Sequence, residues 1–249
     1  MAKTSGLGDN LYINGFDLSG DIGSLSRIGG GTAVIDVTGI DKSAMERLGG
    51  ERDGAIVFTA FFNTAAGQAH QVLASLPTSD VAVQYCRGTT LGNAAACMTA
   101  KQIGYDPTRA AGGALTIAVN AQANGYGLEW GTQLTAGKRS DTTATSPATG
   151  VDLTTVSTAF GWQAYLQVFS FAGTSVTVTL QDSSDNATFG AFGGGGGAFG
   201  AATGITTQRM VSPGATDTVQ RYVRAITTGT FTQATFAVVF VRNQTAVVF

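Results

Sequence analysis

Hydrophobic and polar positions alternate along most of this chain, and the alternation predicts strands. Residues 56–62 set Ile56, Phe58, Ala60 and Phe62 against Val57, Thr59 and Phe61. Both faces of that strand are mostly apolar, so neither is expected to face water freely. Upstream, residues 10–18 (NLYINGFDL) read as strand, turn, strand, with Asn14-Gly15 as a type I′ hairpin pair. Residues 32–37 form a short strand. Residues 81–86, 95–104 and 114–123 read as three antiparallel strands joined by the loops GTTLGN and DPTRAAGG. Only residues 64–76 depart from a period of two. There Ala65, Ala69, Val72, Leu73 and Leu76 make a helical stripe, with Asn63 or Thr64 as N-cap and Pro77 closing it.

Beyond residue 150 the pattern is strand throughout, strongest at 162–171, 175–181, 220–227 and 235–242. Residues 175–180 (SVTVTL) alternate cleanly, one face for core and one for water. Four such strands with turns between them predict a small β-sandwich. The glycine run at 193–197 is too flexible for a strand interior and reads as a loop. Between the halves lies RSDTTATSPATGVD (residues 139–152), a linker by composition. The expected organisation is a mainly β chain: a sandwich or barrel domain with one short helix over 1–140, a linker over 141–155, and a second small β-sandwich over 156–249.

Composition narrows the function. At 249 residues the chain can bury one large core or two smaller ones. Charged residues make up 12 %, about half the usual share for a globular domain, beside 43 % apolar content. That balance fits a surface covered by partners. A net charge of −2 leaves no basic stripe for neutralising phosphates, which argues against a dedicated nucleic-acid binder. The leading MAKTSGLGDN lacks the apolar segment of a signal peptide, and no apolar run reaches the length of a membrane span. Cys86 and Cys97 suit two partly buried thiols, with a cross-strand disulfide as the alternative.

Catalytic chemistry finds little to build on. His70 is the single histidine and sits in the helical stretch, with no nucleophile motif around Cys86, Cys97 or any serine. The carboxylates are few and lie mostly beside Arg or Lys, unlike a glycosidase pair. Asp182-Ser183-Ser184-Asp185-Asn186 clusters oxygen atoms but lacks the further ligands of a calcium loop, so it reads as a turn. Gly29-Gly30-Gly31 has neither the lysine nor the helix of a phosphate cradle. No catalytic residue, metal site or cofactor is expected.

One stretch remains, residues 36–53. Eight charged residues fall within it: Asp36, Asp41, Lys42, Glu46, Arg47, Glu51, Arg52 and Asp53. The signs alternate, which favours complementarity to another copy and fixed register more than raw affinity. As a loop it is long against the usual few residues, and long ordered loops tend to be functional. A surface loop that meets another protein is the reading preferred over a merely solvated one.

The residues Ile40-Asp41-Lys42-Ser43-Ala44-Met45-Glu46-Arg47, then 52–63 (RDGAIVFTAFFN) and Ala123-Asn124-Gly125-Tyr126-Gly127 resemble the major tail tube proteins of long-tailed, siphovirus-type bacteriophages. The resemblance covers about residues 1–140 and is architectural beyond. It implies a non-enzymatic virion protein of the tail, made in the host bacterial cytoplasm, whose hexameric rings stack into a tube. DNA would pass through the lumen without specific binding. Partners implied are further copies of the chain, a tape-measure protein, and tail terminator and tip proteins. The arm to a neighbouring subunit falls at about 38–53, with Asp41, Lys42, Glu46, Arg47, Glu51, Arg52 and Asp53. The tube wall takes the following strand, with Ile56, Phe58, Phe61 and Phe62. The second half would decorate the outside. Capsid decoration, another virion surface role, or a glycan-binding module remain open, and Trp162, Tyr165 and Tyr222 are the aromatic residues that could stack on sugars.

Overall fold

The computed structural model describes residues 5–75, 79–192 and 195–246. It is mainly β, with antiparallel pairing throughout and one short helix among the described residues, as the sequence indicates. In chain order the strands are β1 (Asn10–Ile13), β2 (Phe16–Asp17), β3 (Ile22–Asp36), β4 (Arg47–Phe61), β5 (Val81–Cys86), β6 (Ala94–Arg109) and β7 (Leu115–Ala123). They continue with β8 (Glu129–Gln133), β9 (Arg139–Asp141), β10 (Val151–Thr158), β11 (Trp162–Ser183), β12 (Gly190–Ala191), β13 (Thr206–Val211) and β14 (Val219–Arg242). The helix α1 spans Ala69–Leu73.

Two compact units share the chain, and they do not follow the expected division at 141–155. The larger takes residues 1–20, 82–97 and 130–249; the smaller takes 21–81 and 98–129. Residues 151–158, placed partly in the expected linker, are strand β10 and pair with β14. The Ser/Thr-rich composition misleads there because exposed strand positions tolerate threonine as well as any linker does.

The larger unit is organised by one long ribbon, β11 against β14, from Trp162↔Arg242 to Ser183↔Tyr222. The four strands expected from the sequence are thus two, of 22 and 24 residues. Their register shifts around Gly173, which has φ 146°, opposite a stretch that includes Gly229, with φ 116°. A Cβ on Gly173 would lie 2.4 Å from Phe231 Cα, and one on Gly229 would lie 2.3 Å from Ser175 O. Only glycine allows backbones that close. On either side of this irregularity Trp162, Ala164, Leu166 and Val168 share one core with Val176, Val178 and Leu180. Trp162, Phe192 and Phe240 stack at its centre, with centroids 5.0–5.9 Å apart.

The opposite face of the ribbon meets β1, β5 and β6 residues. Tyr165, Ala237, Val239 and Val241 pack there with Tyr12, Cys86, Ala95 and Cys97. Gln167 is buried among them with its amide satisfied: Nε2 donates to Tyr12 O and Ala82 O, and Oε1 accepts from Gly15 N. Asn14 and Gly15 have φ 51° and 80°, the left-handed pair that the Asn-Gly signal promises. Both cysteines are buried thiols, and burial pushes the Cys86 thiol up to about 12.

The smaller unit is a four-stranded sheet in the order β3, β4, β7 and residues 98–109 of β6. Ile56, Phe58 and Ala60 oppose Ala121, Val119 and Ile117, all buried on one face. The helix is shorter than expected: residues 64–68 lie outside it, and the expected Leu76 and Pro77 lie outside the described residues. Asp21 anchors its start, accepting from Ala69 N at 2.9 Å and from Asn63 Nδ2 at 2.8 Å.

The Gly173–Gly229 crossing generates the first prediction. Gly229→Ala should lower stability by about 2–4 kcal/mol in urea unfolding, because the added methyl meets a backbone carbonyl. Gly204→Ala, where a Cβ meets nothing within 4 Å, should stay within about 0.5 kcal/mol of the parent.

Candidate functional site

The charged stretch at 36–53 is a β-hairpin rather than a loop. β3 and β4 pair from Ile22↔Ala60 out to Asp36↔Arg47, so residues 47–53 are strand and the turn is confined to 37–46. Two glycines and four charges in RLGGERD disguise that strand. Paired backbone, rather than side-chain type, keeps it extended, with a register shift between Thr32 and Val34 absorbing the irregularity.

The turn is a built object. Asp36 Oδ1 accepts from Thr38 N at 2.9 Å and from Thr38 Oγ1 at 2.6 Å. Thr38 Oγ1 in turn accepts from Glu46 N at 2.8 Å, and Val37 N donates to Glu46 O at 3.0 Å. Lys42 lies 3.6 Å from Glu46 and 3.9 Å from Asp41, exposed pairs that add little. The hydrogen bonds from the Thr38 hydroxyl and amide hold the Asp36 carboxyl below its usual range.

Each residue expected in the arm is exposed on this hairpin. Asp41, Lys42 and Glu46 occupy the turn, Arg47 opens β4, and Glu51, Arg52 and Asp53 follow along it. Arg52 Nη2 lies 3.9 Å from the buried Glu129 carboxylate. Between the charges stand large apolar side chains that the charge pattern hides: Val34, Ile35, Val37, Ile40, Met45 and Leu48 are all exposed. Ile35 opposes Leu48 directly across the hairpin. Exposed apolar residues gathered on one projecting element mark a contact surface more strongly than scattered ones. Pairing 32–36 with 47–50 in the sequence would have revealed them; reading 38–53 as a loop did not.

The strand expected in the tube wall divides by face. Ile56 and Phe58 are buried, while Phe61 is 52 % exposed and Phe62 stacks on His70 at 4.3 Å between centroids. The other face is half-buried at Val57 and Thr59 and exposed at Phe61, more open than the apolar sequence suggests but not freely solvated along its length. That face carries Val57, Thr59 and Phe61 beside Asn120, Ala118 and Thr116 of β7, with Arg27 and Ser24 across from them on β3. It is a mixed surface of small side chains with Val57, Phe61 and one exposed cation, Arg27.

Other candidates resolve into structure. His70 Nδ1 lies 2.5 Å from Tyr105 Oη, so the ring is wedged between Phe62 and Tyr105. The 182–186 segment ends β11 at Ser183 and then turns: Asp185 Oδ1 accepts from Ala187 N and Thr188 N, which hold its carboxyl down to about 2. Among the described residues no group of three or more His, Cys, Asp or Glu is placed to hold a metal, and no helix is long and apolar enough to cross a membrane. Trp162 and Tyr165 are fully buried, and Tyr222 lies beneath the Arg221 guanidinium at 5.1 Å, so none of the three presents an open ring as a sugar platform.

No protein-family model matches the chain, and no curated protein matches it. Among solved structures it is similar to a chain of the virion of a native gene transfer agent particle, at 14 % identity and TM-score 0.43, covering 51 % of this chain and 98 % of that one. It is also similar to the SPP1 Dit protein, described as a hub adsorption apparatus paradigm in phages infecting Gram-positive bacteria, at 13 % identity and TM-score 0.32 over 93 % and 98 % of the two chains. A chain of the phage p2 baseplate in its activated conformation gives 10 % identity and TM-score 0.33 over 96 % and 99 %. At such identities and TM-scores these likenesses carry no argument about activity.

The Asp36–Thr38–Glu46 link yields a pH prediction. Asp36 is lowered in the folded hairpin, so its stabilisation is complete above the ordinary carboxylate range and is lost as pH falls through the lowered value. Protection of the Glu46 and Val37 amides, measured relative to the unstructured exchange rate at each pH, should fall locally in acid. Thr38→Val should produce the same loss of protection at neutral pH, while amides of β11 stay protected.

Proposed function

We propose that the chain is a structural subunit of a bacteriophage tail that assembles with copies of itself into stacked hexameric rings forming the tail tube. The observation that carries this reading is the β3–β4 hairpin, whose fixed turn and flanking strands expose Val34, Ile35, Val37, Ile40, Met45 and Leu48 among alternating charges. Side chains of this size cost stability in water and gain roughly 1.5–3 kcal/mol each when buried on a neighbour. The charges Asp41, Lys42, Glu46, Arg47, Glu51, Arg52 and Asp53 then set register, since rim charges select partners more than they hold them. The sequence resemblance supports the same reading at 40–47 and 52–63.

The second element is the wall. Ile56 and Phe58 anchor the strand inward, and the opposite face is lined by Val57, Thr59, Asn120 and Thr116 with Arg27 as a single cation. Such a face suits a lumen past which DNA slides, because it offers phosphates neither a basic trap nor a strong repulsion. Phe61 and Phe62 lie at the end of that strand, where a neighbouring sheet edge would cover them. Tape-measure, terminator and tip proteins are the further partners of this reading, the virion tail is its location, and decoration is the role assigned to the unit holding residues 156–249.

Negative-stain images of the purified protein test it: hollow tubes of stacked sixfold rings are expected, and monomers or closed shells at all concentrations would overturn it. Replacing Val37, Ile40 and Met45 together by Ser should raise the concentration needed for assembly by about tenfold or more per side chain. The melting temperature should change little, since these residues are exposed in the subunit. The charge swap Glu46→Lys with Arg47→Glu should impair assembly less than the apolar triple variant. Normal tubes from both variants would remove the hairpin from the interface.

A further inference from the structure

The larger unit holds a recess of about 380 Å³ whose lining includes Trp130, Gly131, Asp152, Thr154, Arg242 and Gln244. Its volume lies in the range of small-molecule sites. Trp130 is 51 % exposed, whereas the chain's other tryptophan, Trp162, is fully buried. The Trp130 ring is steadied by Tyr85, edge to face at 6.4 Å and 87°, and the Tyr85 hydroxyl is tied to Asp9. A large aromatic side chain held in place yet half open to solvent is unusual in a unit whose other large rings are mostly packed away.

The polar groups of the recess are also fixed. Asp152 Oδ1 accepts from Arg221 Nε and Thr154 N, both at 2.8 Å, and Oδ2 accepts from Arg221 Nη2 at 2.7 Å. Oδ2 thus keeps a lone pair for another donor. The Arg221 pairing holds this carboxyl down to about 2, so it is ionised across the physiological range. Thr154 has φ 69°, a left-handed conformation that non-glycine residues avoid and that gathers at binding sites. Arg242 is 92 % removed from solvent, since its exposure is 8 %. Its terminal nitrogens donate to Thr155, Leu153 and Gln220, but its Nε is buried without a hydrogen-bond partner.

These groups together select a ligand. An indole surface favours an apolar face, while a carboxylate and an amide beside it favour a rim of hydroxyls. A flat hydrocarbon ring would leave that rim unpaired. A cation is disfavoured, because Arg221 already balances Asp152 and Arg242 adds a further positive charge. We propose that this recess binds a hexopyranose ring of a surface polysaccharide, stacked on Trp130 and hydrogen-bonded to Asp152 and Gln244. The proposal goes beyond tube assembly and does not require it.

The chain has two tryptophans, so an ¹⁵N spectrum of the full protein shows two indole signals, assigned by losing one in Trp130→Phe. Titrating methyl glucoside, galactoside and mannoside and N-acetylglucosamine to roughly tens of millimolar should move the Trp130 signal with at least one sugar and leave Trp162 still. Asp152→Asn and, separately, Gln244→Ala should each weaken that binding about tenfold. Two variants guard against one that misfolds, since unchanged Trp162 and β14 signals report an intact fold. No movement of Trp130 with any of the four sugars, equal movement of both indoles, or undiminished binding in both folded variants would overturn the proposal.

Discussion

The larger unit depends on two backbones passing closer than any side chain permits. β11 and β14 are each far longer than a typical strand of five or six residues. A straight ribbon of that length would leave one face of its apolar residues in water. Around Gly173 the pairing slips, and the ribbon's two lengths contribute to a single core. Trp162, Phe192 and Phe240 fill the centre because this irregularity lets residues from either side of it reach the same space. The strands β8, β9 and β10 then attach along β14 as secondary additions.

Much of this was legible from residue types, and the gaps have physical causes. The Asn14-Gly15 turn was readable because left-handed backbone demands those residues. β7 was readable because its apolar positions alternate, and β5 and the first part of β6 because they are short, nearly continuous apolar runs. The merging of four expected strands into two was not, since a glycine in a strand signals equally a turn or a bulge. The discontinuous units were hidden for another reason. Residues 1–20 and 82–97 join 130–249 through pairings of long sequence separation, such as Gln167 with Gly15 and Ala82, and composition carries no trace of such contacts. At the candidate site the charges were visible, but the apolar side chains between them were not. Glycines and alternating charges made a paired strand look like a loop. Trp130 passed unnoticed because exposure, not identity, distinguishes it from Trp162.

The hairpin and the recess illustrate two ways of preparing a surface for contact. In the hairpin, three short hydrogen bonds among Asp36, Thr38 and Glu46 fix a turn that has no core of its own. Order held by local bonds lowers the entropy that association must remove. In the recess, the order comes from long-range pairs, with Arg221 gripping Asp152 and Tyr85 steadying Trp130. The first arrangement can form early and independently of the second.

The position of β14 in the chain has a consequence for the timing of folding. β8, β9, β10 and β11 all pair with it, yet it is made after every one of them. While a ribosome is still short of residue 219, β9 and β10 have no partner strand, β8 and β11 lack one of theirs, and the core around Trp162 cannot close. The smaller unit has no such debt, because its last strand ends at Ala123. The β3–β4 hairpin is therefore complete in the chain before β14 is made. A nascent chain exposing that arm beside unpaired strands is the state most open to mispairing, and its safe passage rests on how quickly β14 zips along β11 once it emerges.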